Sequence, residues 1–267
     1  MLVSPPMLVE RIWSGNRLRN YHYLIACPET GEALAIDPLQ WQDVEAAASA
    51  RGWRITQILN THEHHDHVGG NAGLVAATGA KLLAHHAARI DGIDRGLKQG
   101  DVIRVGRSVE LQCLDTPGHT MTHICLFAHG DSPALFSGDT LFNAGAGNCR
   151  GGGHPDALFT TFATQLAQLP DETRLYAGHD YLQNNLGFTL DREPDNAVAA
   201  QLLDRLKDTD AAHMPVMTLG EEKGFNTFFR LDSPSVVARL REKFPDLPEQ
   251  PTARDVFLHL RELRNSW

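Results

Sequence analysis

Four of the chain's 14 histidines fall within residues 62–67, in the run Thr61-His62-Glu63-His64-His65-Asp66-His67. Imidazole is the commonest side-chain metal ligand, and the second nitrogen of each ring is left for an orienting partner. In extended backbone, residues two apart point the same way, so His62 and His64 converge on one cation. Val68-Gly69-Gly70 then bends the chain toward a helix. Asp66 and His67, at that bend, aim at a second position. Two cations need roughly six or seven protein ligands, and three further segments supply them in one grammar, a donor beside glycine at the end of a strand. These are Thr116-Pro117-Gly118-His119, Ser137-Gly138-Asp139-Thr140 and Ala177-Gly178-His179. His62, His64 and His119 fall to one cation and Asp66, His67 and His179 to the other. Asp139 bridges, because a carboxylate has two oxygens. Zinc, iron and manganese all accept such a mixed set.

Two divalent cations about 3.5–4 Å apart share one water and lower its pKa from about 15.7 toward 7, giving a bridging hydroxide. A carbonyl oxygen leaning on one cation is polarised, so charge building in a tetrahedral intermediate is stabilised. Asp66 and Asp139 are the catalytic carboxylates here, Asp66 placed to hold the proton of the shared water. No additional acid accompanies the donors. A thiol, with a pKa near 8.5, departs as thiolate without one, which favours a thioester over an amide. His65 points away from its neighbours and reads as a non-ligand, and His85 and His86, after the strand-like run 81–84, read as surface residues. Asp37, in Ile36-Asp37-Pro38, has two readings: a partner orienting a ligand histidine, or a turn aspartate. The glycine-rich run 144–153 lacks the Lys-Ser/Thr of a phosphate loop and the G-x-G-x-x-G of a dinucleotide fold; it reads as a flexible loop beside the site, and its Cys149 as a bystander. No G-x-S-x-G supports a serine hydrolase.

The elements that must position these donors read as short strands at 21–26, 33–36, 55–59, 109–114, 124–127 and 174–177, interleaved with helices at 43–50, 71–77 and 156–169. Such a mixture forms two sheets, or one large sheet, under helical cover. Beyond residue 179 the character turns helical. Asp195 opens one helix, Ser233 with Pro234 starts a second, and Thr252 caps a third carrying Val256, Phe257, Leu260 and Leu263 on one face. The division expected is 1–178 for the catalytic part and 179–267 for a helical, substrate-binding part. Acidic residues outnumber basic ones by 33 to 24, for a net charge of −9, which disfavours a nucleic-acid partner. Four scattered cysteines exclude a local zinc knuckle. No apolar run is long enough to cross a membrane and no secretory signal is visible, so a cytoplasmic protein is expected. Met7 is an alternative start after the leader-like residues 1–6, and the oligomeric state is not legible.

The pattern T-H-x-H-x-D-H with later G-H, G-D and G-H segments resembles the metallo-β-lactamase superfamily, which implies an α/β (α+β) fold, an αββα sandwich carrying its metals at one edge. Asn20-Tyr21-His22-Tyr23, Thr116-Pro117-Gly118-His119-Thr120, Gly138-Asp139-Thr140-Leu141-Phe142, Gly178-His179-Asp180-Tyr181 and Asn226-Thr227-Phe228-Phe229-Arg230 are similar to the type II glyoxalases, the hydroxyacylglutathione hydrolases. That resemblance implies hydrolysis of S-D-lactoylglutathione to D-lactate and glutathione, with Tyr181 and Arg230 gripping glutathione. It also points to Asn148 and Arg150, where the family commonly has a basic residue and a tyrosine, with two readings: Arg150 supplies the positive charge from two residues away, or the glutathione grip is altered and the thioester is a different one. Two alternatives stay open: a mononuclear-iron persulfide dioxygenase, which shares the His62, His119 and Asp139 pattern, and a nuclease or phosphodiesterase of the same fold, against which the net charge weighs.

Overall fold

The computed structural model describes residues 7–267; the leader-like residues 1–6 lie outside it. The described residues divide into two compact units, the first comprising residues 7–116 and Thr122–Gly138, the second Pro117–Met121 and Asp139–Trp267.

In the first unit, a six-stranded sheet runs in chain order: β1 (Leu8–Trp13), β2 (Tyr21–Ala26), β3 (Glu32–Ile36), β4 (Arg54–Leu59), β5 (Lys81–His85) and β6 (Arg95–Leu97). The first three strands pair antiparallel through short turns, and β3 to β6 pair parallel. Parallel neighbours need crossover connections, supplied by α1 (Trp41–Ala50) between β3 and β4, and by the one-turn α2 (His65–Val68) and α3 (Asn71–Thr78) between β4 and β5. Strand β2 is buried along its whole length, as expected of a strand covered on both faces. Leu24, Ala35, Ile58 and Leu82 of the sheet pack with Val44 of α1 and Leu74 of α3 in one apolar cluster. A second set of strands, β7 (Val102–Val105), β8 (Val109–Asp115), β9 (Ile124–Ala128) and β10 (Ala134–Gly138), forms an antiparallel meander. Tyr23 of β2 meets Phe136 of β10 edge-to-face at 5.6 Å, joining the two sheets inside this unit.

The second unit holds the hairpin β11 (Leu141–Phe142) and β12 (Gly145–Ala146), strand β13 (Arg174–Ala177) and the helices α4 (Pro155–Thr164), α5 (Leu182–Arg192), α6 (Ala197–Leu206), α7 (Leu219–Phe225), α8 (Pro234–Lys243) and α9 (Ala253–Arg264). Its centre is aromatic. Phe257 of α9 lies 5.2 Å from Phe162 and 5.1 Å from Phe228, and all three are buried.

Several expectations need correction. The helix read as 156–169 ends at Thr164, because Gln165 leaves helical geometry before a short 3-10 turn at Leu166–Gln168. Helix α5 was not legible, since Asn184, Asn185 and Gly187 lower the helical preference of its sequence. The helix opened at Asp195 is capped one residue later by Asn196, whose side chain accepts from Ala199 N. Ser233 precedes α8 as expected but makes no capping bond; its hydroxyl donates to Glu193 at 2.6 Å. His85 is buried rather than on the surface, because β5 runs one residue further than read and turns it inward toward Asp115, 3.7 Å away. His86 is exposed.

Candidate metal centre and an arginine-lined cavity

In the first unit the donors gather where the parallel strand β4 ends. Leu59 is its last residue, and His62 and His64 follow in irregular backbone before His65 opens α2. Crevices beyond the carboxyl ends of parallel strands are where α/β sheets place their ligands. Asp37, on the parallel neighbour β3's exit loop, organises the group. Its Oδ1 accepts from Thr61 N at 2.8 Å, and its Oδ2 accepts from the Thr61 hydroxyl at 2.6 Å and stands 2.9 Å from His67 Nδ1. Asp37 is therefore both a turn residue, at φ 49°, and the orienting partner of a histidine. Thr61 Oγ1 in turn lies 3.0 Å from His62 Nδ1. Both rings thus have Nδ1 held by a fixed neighbour, which sets ring orientation and tautomer. His62 Nε2 and His64 Nδ1 face one another at 3.1 Å. Asp66 Oδ2 lies 3.5 Å from His67 Nε2 and accepts from Asn20 Nδ2 at 3.0 Å. His65 is exposed. His123 is buried and stacks on His62 with ring centroids 5.0 Å apart. Gly138 ends β10 at φ +47°, and a Cβ there would lie 2.5 Å from Thr61 Oγ1, so this close approach requires glycine.

In the second unit Asp139 stands between two histidines. Its Oδ2 lies 3.2 Å from His179 Nε2 and 3.6 Å from His119 Nε2. His119 Nδ1 is 2.6 Å from the Asn148 carbonyl, to which it donates, so Nε2 is the nitrogen that faces Asp139. His179 stacks flat on Tyr181, centroids 5.0 Å apart at 5°, with Phe142 edge-on to both rings. Each unit thus holds part of the donor set: His62, His64, Asp66 and His67 in the first, His119, Asp139 and His179 in the second.

A cavity of about 250 Å³ opens in the second unit, lined in part by Asn148, Arg150, Tyr181, Asn185, Arg261 and Arg264. Asn148, Arg150 and Tyr181 came from the sequence; both helix-borne arginines were missed. Arg261 Nη1 donates to the carbonyls of Ala146 and Gly147 at 2.6 and 3.0 Å, and its guanidinium lies over Phe228. Only 4% of Arg261 is exposed, and burial lowers its pKa to about 10. Arg264 donates to Asn185 Oδ1 at 3.0 Å, and burial lowers its pKa as well. Among the described residues neither meets a carboxylate; their partners are carbonyls, amides and rings. A desolvated cation without a counter-charge is costly, so the cavity suits an anionic guest. The signal in the sequence is the spacing: Arg261 and Arg264 sit three apart, each next to the apolar stripe of α9.

Arg230 does not line this cavity. Its Nε and Nη2 each reach Glu193 at 2.7 Å in a fork, and Glu193 also accepts from Ser233 and Asn196. Burial pushes the Glu193 carboxyl up, but the hydrogen bonds from Arg230, Ser233 and Asn196 outweigh it and hold the pKa below the ordinary value. Glu222, fully buried, anchors the turn of the β11–β12 hairpin. Its oxygens accept from Asn143 Nδ2 at 2.8 Å, Ala144 N at 2.8 Å and Asn226 Nδ2 at 2.9 Å. Burial raises its pKa to about 7.

Residues 17–179 match the family model of the metallo-beta-lactamase superfamily, and residues 180–267 match that of the hydroxyacylglutathione hydrolase C-terminus. A curated protein named hydroxyacylglutathione hydrolase, from Polaromonas sp., is 68% identical over 98% of this chain and 100% of its own length. The chain belongs to the hydroxyacylglutathione hydrolase family. It is an α/β enzyme of the metallo-beta-lactamase fold with a helical C-terminal region, and its family hydrolyses glutathione thioesters. Among solved structures, ETHE1 from Myxococcus xanthus matches with a TM-score of 0.65 at 25% identity, over 91% of this chain and 93% of that one. TTHA1623 in a di-iron-bound form matches with a TM-score of 0.54 at 29% identity, over 64% of this chain and 91% of that one. The family's fold and its cluster of histidines and aspartates support divalent metals. No described helix is long and apolar enough to cross a membrane.

Proposed function

We propose that the protein hydrolyses S-D-lactoylglutathione, or a closely related glutathione thioester, to the hydroxy acid and glutathione, with two divalent cations as cofactors. The observation that carries this reading is that the walls of the arginine-lined cavity touch the donor histidines. Asn148 faces the cavity and its carbonyl takes the His119 Nδ1 proton, while Tyr181 lines the cavity and stacks on His179. A thioester whose thiol carrier bears carboxylates meets both needs, its anionic end on the arginines and its acyl carbon toward the histidines.

The donor chemistry fits metal ions. His62, His67 and His119 each have Nδ1 engaged by Thr61, Asp37 or the Asn148 carbonyl, so three rings present Nε2 with no change of tautomer. In this proposal His62, His64 and His119 hold one cation, Asp66, His67 and His179 the other, and Asp139 is shared; zinc, iron and manganese are all suited. When bound, the cations supply an activated water and polarise the thioester carbonyl. The chain's residues do the rest. Asp66 is kept in place by Asn20 and holds the proton of the attacking water. Arg150, Arg261 and Arg264 bind the carboxylates of glutathione, and Tyr181 and Asn148 flank its path. The departing thiolate needs no general acid, because its pKa is near 8.5. All four cysteines lack disulfides, which fits the reducing, glutathione-rich cytoplasm that is part of this reading.

The test is a metal count on the purified protein with two assays. About two metals per chain together with hydrolysis of S-D-lactoylglutathione is the expected result. One iron per chain with glutathione-dependent oxygen uptake overturns it.

A further inference from the structure

Arg264 is held in an unusual way for a cation beside a cavity. Its guanidinium carbon lies 5.8 Å from the Phe188 ring centroid and 5.5 Å from that of Trp267. These two rings meet edge-to-face at 5.6 Å and 78°. Trp267 is itself pinned: its Nε1 donates to Asp191 Oδ2 at 3.0 Å. The surface of α5 under the indole is fitted to it, since a Cβ at Gly187 would lie 3.0 Å from Trp267 Cη2. Asn185, Phe188 and Asp191 recur every three residues along α5, so one helix face orients both the indole and the guanidinium.

A carboxylate partner would also fix Arg264, but would cancel its charge. Aromatic faces hold a guanidinium through the ring quadrupole and leave its charge for a third group. They also remove rotamer freedom that a long arginine would otherwise lose when the ligand arrives. We propose that Trp267 is a positioning residue for ligand binding: pinned by Asp191, its indole holds Arg264 in the cavity to receive a carboxylate of the glutathione moiety. This rests on the glutathione reading given above.

The experiment measures binding of S-methylglutathione, a thioether that cannot be hydrolysed, to the metal-loaded enzyme, alongside kcat and KM for S-D-lactoylglutathione. Trp267→Ala is expected to weaken binding and raise KM by about two- to fivefold with kcat unchanged. Trp267→Phe restores most of the loss, because it keeps a ring over the guanidinium. Trp267→Leu, which keeps apolar cover on Phe188 and so protects the fold, behaves like Trp267→Ala. In an Arg264→Ala background none of the three has a further effect. An unchanged affinity in Trp267→Leu, an equal loss in the Arg264→Ala background, or a parallel fall in kcat overturns the proposal. A metal-loaded wild type that neither binds the thioether nor hydrolyses the thioester overturns the glutathione reading itself. A wild type that does both while Arg264→Ala binds normally overturns the roles given to Arg264 and Trp267 and leaves the glutathione reading standing.

Discussion

The cluster around Asp37 and the cavity under α9 are built from opposite chemistries. The first crowds nitrogen and oxygen donors together at the end of β4, with Asp37 threaded between Thr61 and His67. The second crowds arginines together, and among the described residues Arg261 and Arg264 meet carbonyls, amides and rings rather than carboxylates. One region gathers metal-type donors, the other gathers cations. Each states the charge of its guest by what it gathers, a cation in the first and the acidic end of a substrate in the second. The net charge of −9 predicts neither, because it averages over both.

The contrast can be broken at several points. Replacing the shared carboxylate, Asp139→Ala, should lower turnover about a thousandfold and bring bound metal below two per chain, read by metal analysis and steady-state kinetics. Retention of both metals and near-normal turnover would remove Asp139 from the centre. Arg264→Ala should raise KM about ten- to hundredfold with kcat within about twofold, because the lost contact is charge-assisted and serves binding alone. Asp37→Asn should weaken metal affinity by about ten- to hundredfold while leaving KM of the reloaded enzyme unchanged, since it acts through His67 and Thr61. A KM change as large as that of Arg264→Ala would mean the two regions are not separable.

Smaller effects sharpen the picture of what holds the cavity wall. Glu222 has a folded pKa of about 7, above its ordinary 4.5, so the folded state keeps a proton that the unfolded chain has released. Its contribution to stability is therefore full below pH 4.5 and is lost as pH rises through 7. Relative to Glu222→Gln, the wild type should lose about 2.5 kcal/mol between pH 5 and pH 8, measured by denaturant titration. Parallel pH curves for the two proteins would refute this. Arg230→Ala, finally, should cost about 2 kcal/mol of stability by leaving Glu193 buried without its fork, yet move KM by less than about twofold. A larger rise in KM would return Arg230 to the binding site.

How far the sequence alone reached depended on whether the information was local. Strands β2 and β13 were readable to the residue, because apolar and aromatic runs bounded by turn residues leave little choice. The seven candidate ligands were legible because each sits beside a glycine or in one dense run. Helix α5 was hidden by its asparagines and glycine, which serve contacts distant in sequence: Asn185 donates to the Asn143 carbonyl and accepts from Arg264. Arg230 looked like a ligand contact since nothing in its own motif reveals Glu193, 37 residues earlier. Arg261 and Arg264 looked like ordinary charges at a helix end. Their meaning lies in absent counter-charges, which only three dimensions disclose.

The short excursion Pro117–Met121, which belongs to the second unit though the first flanks it on both sides, has a consequence for synthesis. His154 N donates to the Gly118 carbonyl, and the Thr161 hydroxyl donates to that of Pro117. The loop bearing His119 therefore lacks its supports until α4 has left the ribosome, some forty residues after the loop itself. A chain stopped at Gly138 would carry the histidine without the scaffold that aims it. Splitting the protein into two separately expressed halves at that point should leave the His119 loop of the first half unformed until the second half is added.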